Sequence, residues 1–165
     1  MTRRPLHVLI AAAGLALAAT GARAAPAKAA VFDVQFANRS PVAPDAAEMG
    51  RLKRIGTVFR DLLQKKGLFT VVSAEPDQEE VARRADLRRR NSCAVTVAKR
   101  LGADTAITGE VQKVSNLILD LDVYVKPVAD DAPKQACSVD LRGNTDESFD
   151  RAVPHMVENN MSDGP

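Results

Sequence analysis

The chain has 165 residues, of which 45% are apolar and 27% charged, with five Phe, one Tyr and no Trp. This composition excludes collagen, coiled coil and wholesale disorder, and it is enough for one globular domain with its own core. The formal net charge is +2, but Arg3, Arg4 and Arg23 lie in the first 24 residues with no acid beside them, so the remainder carries 20 basic residues against 21 acids and lacks the excess of a nucleic-acid binder.

Met1 to Ala24 has the layout of a secretory signal peptide: a basic start at Arg3 and Arg4, an apolar stretch from Leu6 to Ala19, and small residues at Ala22 and Ala24 that suit cleavage after Ala24. The apolar stretch is too short and too Ala-rich to span a bilayer, and the helix-breaking Gly14 within it and Gly21 just after it tell against a retained helix. No Cys follows it, which argues against an amino-terminal lipid anchor. The expectation is export to the periplasm or beyond, by the general or the twin-arginine route. The mature product then has no transmembrane segment, a linker over 25–30, a single domain over 31–161 and a disordered tail over 162–165.

Ala29 to Phe36 reads as a first strand, and Asn38 to Pro44 as a loop. Asp45 then caps a helix whose apolar positions Met49, Leu52, Ile55, Phe59, Leu62 and Leu63 fall on one stripe and which Gly67 ends. Leu68 to Val72 is a short strand. Asp77 to Arg90 reads as a polar helix, and Asn91-Ser92 caps another that ends at Leu101-Gly102. From Ala103 the period changes to two: Thr105 to Val114 is a strand, Ser115-Asn116 a turn, and Leu117, Leu119, Leu121, Val123 and Val125 form an apolar face opposite a wet one of Asp120, Asp122, Tyr124 and Lys126. After a turn at Asp130 to Pro133, Cys137, Val139 and Leu141 alternate in a third strand, which makes an antiparallel meander. Asn144 and Glu147 read as a reciprocal cap for a last helix with a stripe of Phe149, Ala152, Val153, Met156, Val157 and Met161, kinked or broken at Pro154.

Little of this carries chemistry. A Ser–His–Asp relay needs a histidine, and beyond the leader only His155 remains, which reads as a surface residue. Clustered metal or haem ligands are missing, and Asn144, Asp146, Ser148 and Asp150 lack the Gly turn and the distal Glu of a calcium loop, position 155 being His. No metal, no cofactor and no catalysis are therefore expected. Arg83, Arg84, Arg88, Arg89 and Arg90 suggest phosphate, but Asp77, Glu79, Glu80 and Asp86 interleave with them and no aromatic stacks a base, so nucleic acid is not an expected partner. Cys93 and Cys137, in an oxidising space, are either paired, closing a loop of about 45 residues worth roughly 4 kcal/mol, or separately buried as small apolar side chains. The densest polar cluster is the elbow before the last helix. Lys113, Asn116, Asp140, Arg142, Asn144, Asp146 and Glu147 form the candidate binding set, with Arg142 placed between Asp140 and Asp146 either to hold a carboxylate or to lock the turn.

Gly102-Ala103-Asp104, the run Gly109-Glu110-Val111-Gln112-Lys113-Val114-Ser115-Asn116-Leu117-Ile118-Leu119, and the run from Ser138 to Ser148 resemble an uncharacterised family of bacterial exported proteins, a domain of unknown function. The resemblance covers nearly the whole chain from Val31-Phe32-Asp33 onward and implies no reaction. The family pattern has two neighbouring cysteines before Gly-Ala-Asp, where this chain has Cys93 alone. In element order the chain is also similar, more distantly, to the amino-terminal domain of the Tol translocation barrel protein and related envelope assembly factors, which implies action by partner binding.

The expected fold is α/β (α+β): a mixed sheet of about five strands with an antiparallel C-terminal meander and two or three helices packed on it. The expected function is that of a non-enzymatic accessory or binding protein of the bacterial cell envelope, which takes a protein partner through the sheet edge or the elbow from Arg142 to Glu147. The alternative is a small-ligand binder or hydrolase that uses Asp140, Arg142 and Asp146 with Asn116 nearby. An open pocket lined by those side chains favours the alternative; buried mutual hydrogen bonding favours the first.

Overall fold

Alternation and capping place nine elements in the structure, a computed structural model that describes residues 25–74, 93–130 and 135–161. They are β1 (Lys28–Val31), β2 (Gln35–Asn38), α1 (Ala46–Lys65), β3 (Thr70–Val72), α2 (Cys93–Arg100), β4 (Thr105–Ser115), β5 (Ile118–Pro127), β6 (Gln135–Leu141) and α3 (Asp146–Asn159). The strands form one mixed sheet in the order β3-β1-β4-β5-β6, with β2 paired to β4 beyond the end of β1. β1, β2 and β3 enter it in parallel pairs, whereas β4, β5 and β6 form the expected antiparallel meander. The leader, the expected polar helix over 77–90 with its arginines, Asn91-Ser92, residues 131–134 and the tail over 162–165 lie outside the described residues. β1 begins inside the stretch read as a linker.

The expected first strand is two strands, and register explains why. Val31 pairs with Ile107 but Gln35 pairs with Glu110, so four steps on one chain oppose three on the other. The extra residue is a bulge that reverses which face the following side chains point to. Phe32 packs in the core under α2, whereas Val34 and Phe36 pack with the core under α1 and α3. Gly109 sits opposite the bulge, where an added Cβ would meet Val34 Cγ2 at 3.4 Å.

The sheet divides two cores. Leu52, Ile55, Phe59 and Leu63 of α1 join Phe149, Ala152, Val153, Met156 and Val157 of α3 over one face. Val97 and Ala98 of α2 pack against Ala30 and Ala106 on the other. Full burial of each large apolar side chain contributes roughly 1.5–3 kcal/mol. This division also separates the cysteines: Cys137 lies in the first core and Cys93 in the second, both buried and not joined to each other by a disulfide, which fits the reading as separately buried small apolar side chains.

Four local expectations are corrected. Met49, placed on the apolar stripe of α1, is exposed, and the position beside it that faces the sheet is held by buried Glu48. Leu117 leaves the apolar face of β5 for the turn: the register shifts after Lys113, Ser115 pairs with Ile118, and Leu117 is 82% exposed. The wet face of β5 is wet only in part, since Asp122 and Lys126 are buried and Asp122 accepts from Gln112 Nε2. Finally, of the kink or break expected at Pro154, the break does not occur: α3 is one helix through Pro154, with buried residues on either side holding both halves against the same core.

Candidate functional site

The end of the sheet where β4 turns into β5 also receives the amino termini of α1 and α3. Asp45 caps α1 by accepting from the Glu48 amide at 2.7 Å, and the Glu48 carboxylate accepts from the Asp45 amide at 2.9 Å, a reciprocal capping box. The other Glu48 oxygen faces the sheet and accepts from Lys113 Nζ, in an ion pair whose side chains are 2% and 5% exposed. Alternation along β4 puts Lys113 there, two residues beyond buried Val111.

Asn144 completes the arrangement. Its Nδ2 donates to Glu48 and to Asn116 Oδ1, its amide donates to the Asn116 carbonyl at 3.0 Å, and its Oδ1 accepts from Arg51 Nη1 at 2.9 Å. Arg51 continues to Asp146 through Nε at 2.7 Å and lies 5.8 Å from the Phe149 ring centroid. Gly143, at a φ of 110° that side chains rarely adopt, turns the chain so that Asn144 faces inward. Burial pushes the Glu48 carboxyl up, but the Lys113 ammonium and the Asp45 and Asn144 amides outweigh it and hold the group below its ordinary range. The Arg51 guanidinium, with help from Arg54, holds Asp146 down in the same sense. A carboxylate kept ionised and saturated with donors is a poor base, so this constellation ties α1, β4 and α3 together rather than doing chemistry.

The structure thus gathers Lys113, Asn116, Asn144 and Asp146 and leaves out Asp140, Arg142 and Glu147. Arg142 is exposed and pairs with neither Asp140 nor Asp146, because Arg51 and Arg54 occupy Asp146 from across the helix interface. Glu147 does not cap Asn144: the cap is Thr145, which accepts from the Ser148 amide at 3.3 Å, and Glu147 pairs instead with Arg151. Asp140 faces Asp120 across β5 and β6, where burial first, then Asp140 and Asp122, raise the Asp120 carboxyl. Two central residues, Glu48 and Arg51, were not anticipated. The Asp45-x-x-Glu48 spacing carries the signal for the first.

Two recesses flank the clasp. One, of about 420 Å³, lies between the loop at 40–43 and the end of β4, with Glu48, Lys113 and Asn144 in its lining. The other, a groove of about 760 Å³ between β6 and α3, has Asp140 and Arg142 in its lining. The residues required by a hydrolytic site are therefore divided: Asn116 lines the first recess, Asp140 and Arg142 line the second, and Asp146 lines neither. Among the described residues no three His, Cys, Asp or Glu are placed to hold a metal ion, and no helix is long and apolar enough to cross a membrane.

The same end carries the exposed large apolar side chains of the described residues. Val42 lies in the loop before α1, Met49 in the first turns of α1, and Val114, Leu117 and Ile118 on the β4–β5 hairpin, each at least half exposed.

Residues 27–161 match the family model DUF3280, described as a protein of unknown function (DUF2380), in agreement with the resemblance carried by the Gly102-Ala103-Asp104 and Ser138–Ser148 runs. No curated protein matches. Among solved structures, the LpoB C-terminal domain from Salmonella enterica is similar at 17% identity and a TM-score of 0.53, covering 74% of this chain and 87% of that one. Lipoprotein GNA1162 from Neisseria meningitidis is similar at 14% identity and a TM-score of 0.53, covering 82% and 99%. At such identities the likeness is one of fold. The likeness in element order to the amino-terminal domain of the Tol translocation barrel protein is not supported.

Proposed function

We propose that this chain, which belongs to the DUF3280 family of proteins of unknown function, is a non-catalytic accessory protein of the bacterial cell envelope that acts by binding another protein at its hairpin end. The observation that carries this reading is the gathering of Val42, Met49, Val114, Leu117 and Ile118 at one end. Exposed large apolar side chains gathered in one region, unlike ones scattered singly over a surface, are the usual mark of a contact surface. The clasp of Glu48, Lys113, Asn144 and Arg51 beneath it holds that surface in a fixed shape, which lowers the ordering cost of binding. The envelope setting is supported by the secretory layout of Met1 to Ala24 and by a fold shared with a solved lipoprotein.

The test is capture from a detergent-solubilised envelope fraction by the mature protein and by a Leu117→Ser, Ile118→Ser variant. Both side chains are exposed, so the variant keeps its unfolding free energy within about 0.5 kcal/mol. The expected result is a partner held by the wild type and lost by the variant. Equal capture by both, or turnover of any substrate by the purified protein, overturns the reading.

A further inference from the structure

β6 is an outer strand. Among the described residues it pairs with β5 alone, so every second residue of Gln135–Leu141 turns its N–H and C=O away from the sheet. It contains no proline and keeps an unbroken register over seven pairs, so it is straight enough to template another strand. Along this edge runs the groove of about 760 Å³, with α3 as its far wall. Buried or half-buried Val139, Ala152 and Pro154 line it together with exposed Arg142.

Two chemical details narrow what fits there. Pro154 has no amide to give to the Asp150 carbonyl, so α3 offers a backbone acceptor at a position where a regular helix has none. The acids of α3 are already engaged, Asp146 with Arg51, Asp150 with Arg54, Glu147 with Arg151 and Glu158 with Lys66, while Asp140, which also lines the groove, faces Asp120 rather than a cation. Arg142, whose guanidinium no acid meets among the described residues, is left to supply positive charge to an occupant.

We infer that the β6 edge takes an extended peptide segment of a partner protein as an added strand, with an apolar side chain over Val139, Ala152 and Pro154 and a carboxylate on Arg142. Backbone hydrogen bonds along the edge then supply affinity, and the groove and the guanidinium supply selectivity. The inference rests on the reading of the chain as a binding domain but uses a different face from the hairpin end.

The probe is a phage-displayed library of random heptapeptides selected on the mature protein, with the enriched peptides then synthesised and titrated. The expected peptides alternate apolar residues and carry an Asp or Glu, and they move amide resonances of 135–142 and α3. Arg142→Glu, at an exposed and unpaired position, keeps the thermal transition, weakens these peptides by roughly tenfold or more, and selects peptides of the opposite charge. Resonance changes confined to other elements, no dependence on charge at 142, or no enriched peptide overturns the proposal. Concentration-dependent dimerisation through β6, seen by sedimentation, also overturns it by making a second copy the occupant. The Leu117→Ser, Ile118→Ser variant separates the two surfaces: capture lost with peptide binding kept is the result expected of both, capture and peptide binding both kept condemns the hairpin end alone, and peptide binding lost together with capture condemns the edge alone.

Discussion

Replacing Lys113 with Met takes the ammonium away from a carboxylate that is 2% exposed and held in place by the capping box of α1. Removing one partner of a buried ion pair costs about 3–5 kcal/mol, because the remaining charge is left uncompensated. Glu48 keeps the donors of Asp45 and Asn144 in the variant, which places the loss near the lower figure, about 3 kcal/mol. For a domain of this size that is roughly 10 °C in Tm. Adding Glu48→Gln removes the stranded charge while keeping an acceptor for the Asp45 amide, so the double variant recovers about 2 kcal/mol over Lys113→Met. Urea unfolding followed by far-UV circular dichroism, with equal slopes across the four proteins, measures the cycle. A cost below about 1 kcal/mol for Lys113→Met, or a double variant no more stable than the single, refutes the reasoning. The pH dependence has a defined sign. The folded-state pKa of Glu48 is depressed, so the stability it contributes is full above its ordinary value of 4.5 and is lost as pH falls through the lower folded value. The gap between wild type and Lys113→Met therefore narrows from pH 5 towards pH 3.

Other outcomes follow from the same structure. Asp120→Asn relieves the contact with Asp140 and stabilises the protein at pH 7 by about 0.2–1 kcal/mol. Because the folded pKa of Asp120 is raised, the wild type regains this stability as pH falls and the difference closes, which thermal melts at pH 7 and pH 4 follow. Thr145→Ala removes the cap of α3 and costs about 1 kcal/mol in urea unfolding. Cys93 and Cys137 alkylate slowly in the native protein and fully after denaturation, with the same gel mobility with and without reductant; a mobility shift on reduction contradicts their separate burial. The Cys137 thiol is pushed up by burial, which keeps its thiolate fraction low at neutral pH.

Where one face of an element alone decides its place, the sequence was a sound guide. The stripe from Leu52 to Leu63, the alternation of Leu119, Leu121, Val123 and Val125, and the last stripe from Phe149 to Met161 lie buried as their periods imply, with Leu62 half-buried against the same core. Errors arose where one residue of register matters. The bulge between Val31 and Gln35 and the shift after Lys113 each reverse the faces that follow, and neither has a local signature stronger than a glycine. The elbow is legible in the sequence as a polar cluster, but nothing local in the sequence shows which partners its members take. The structure joins Asn144 to Glu48 and Asp146 to Arg51, residues 96 and 95 positions apart, and such long-range pairing depends on how α1 lies against α3.

The proposed role can be examined at a single side chain. A photoreactive amino acid at position 117, in cells making the full chain, is expected to crosslink to one discrete envelope protein, and Ile118→Ser abolishes that product, while the same probe at Thr57, on the outer face of α1, gives none. Absence of any product from position 117, or the same product from position 57, contradicts the view that this fold serves as a shaped contact surface.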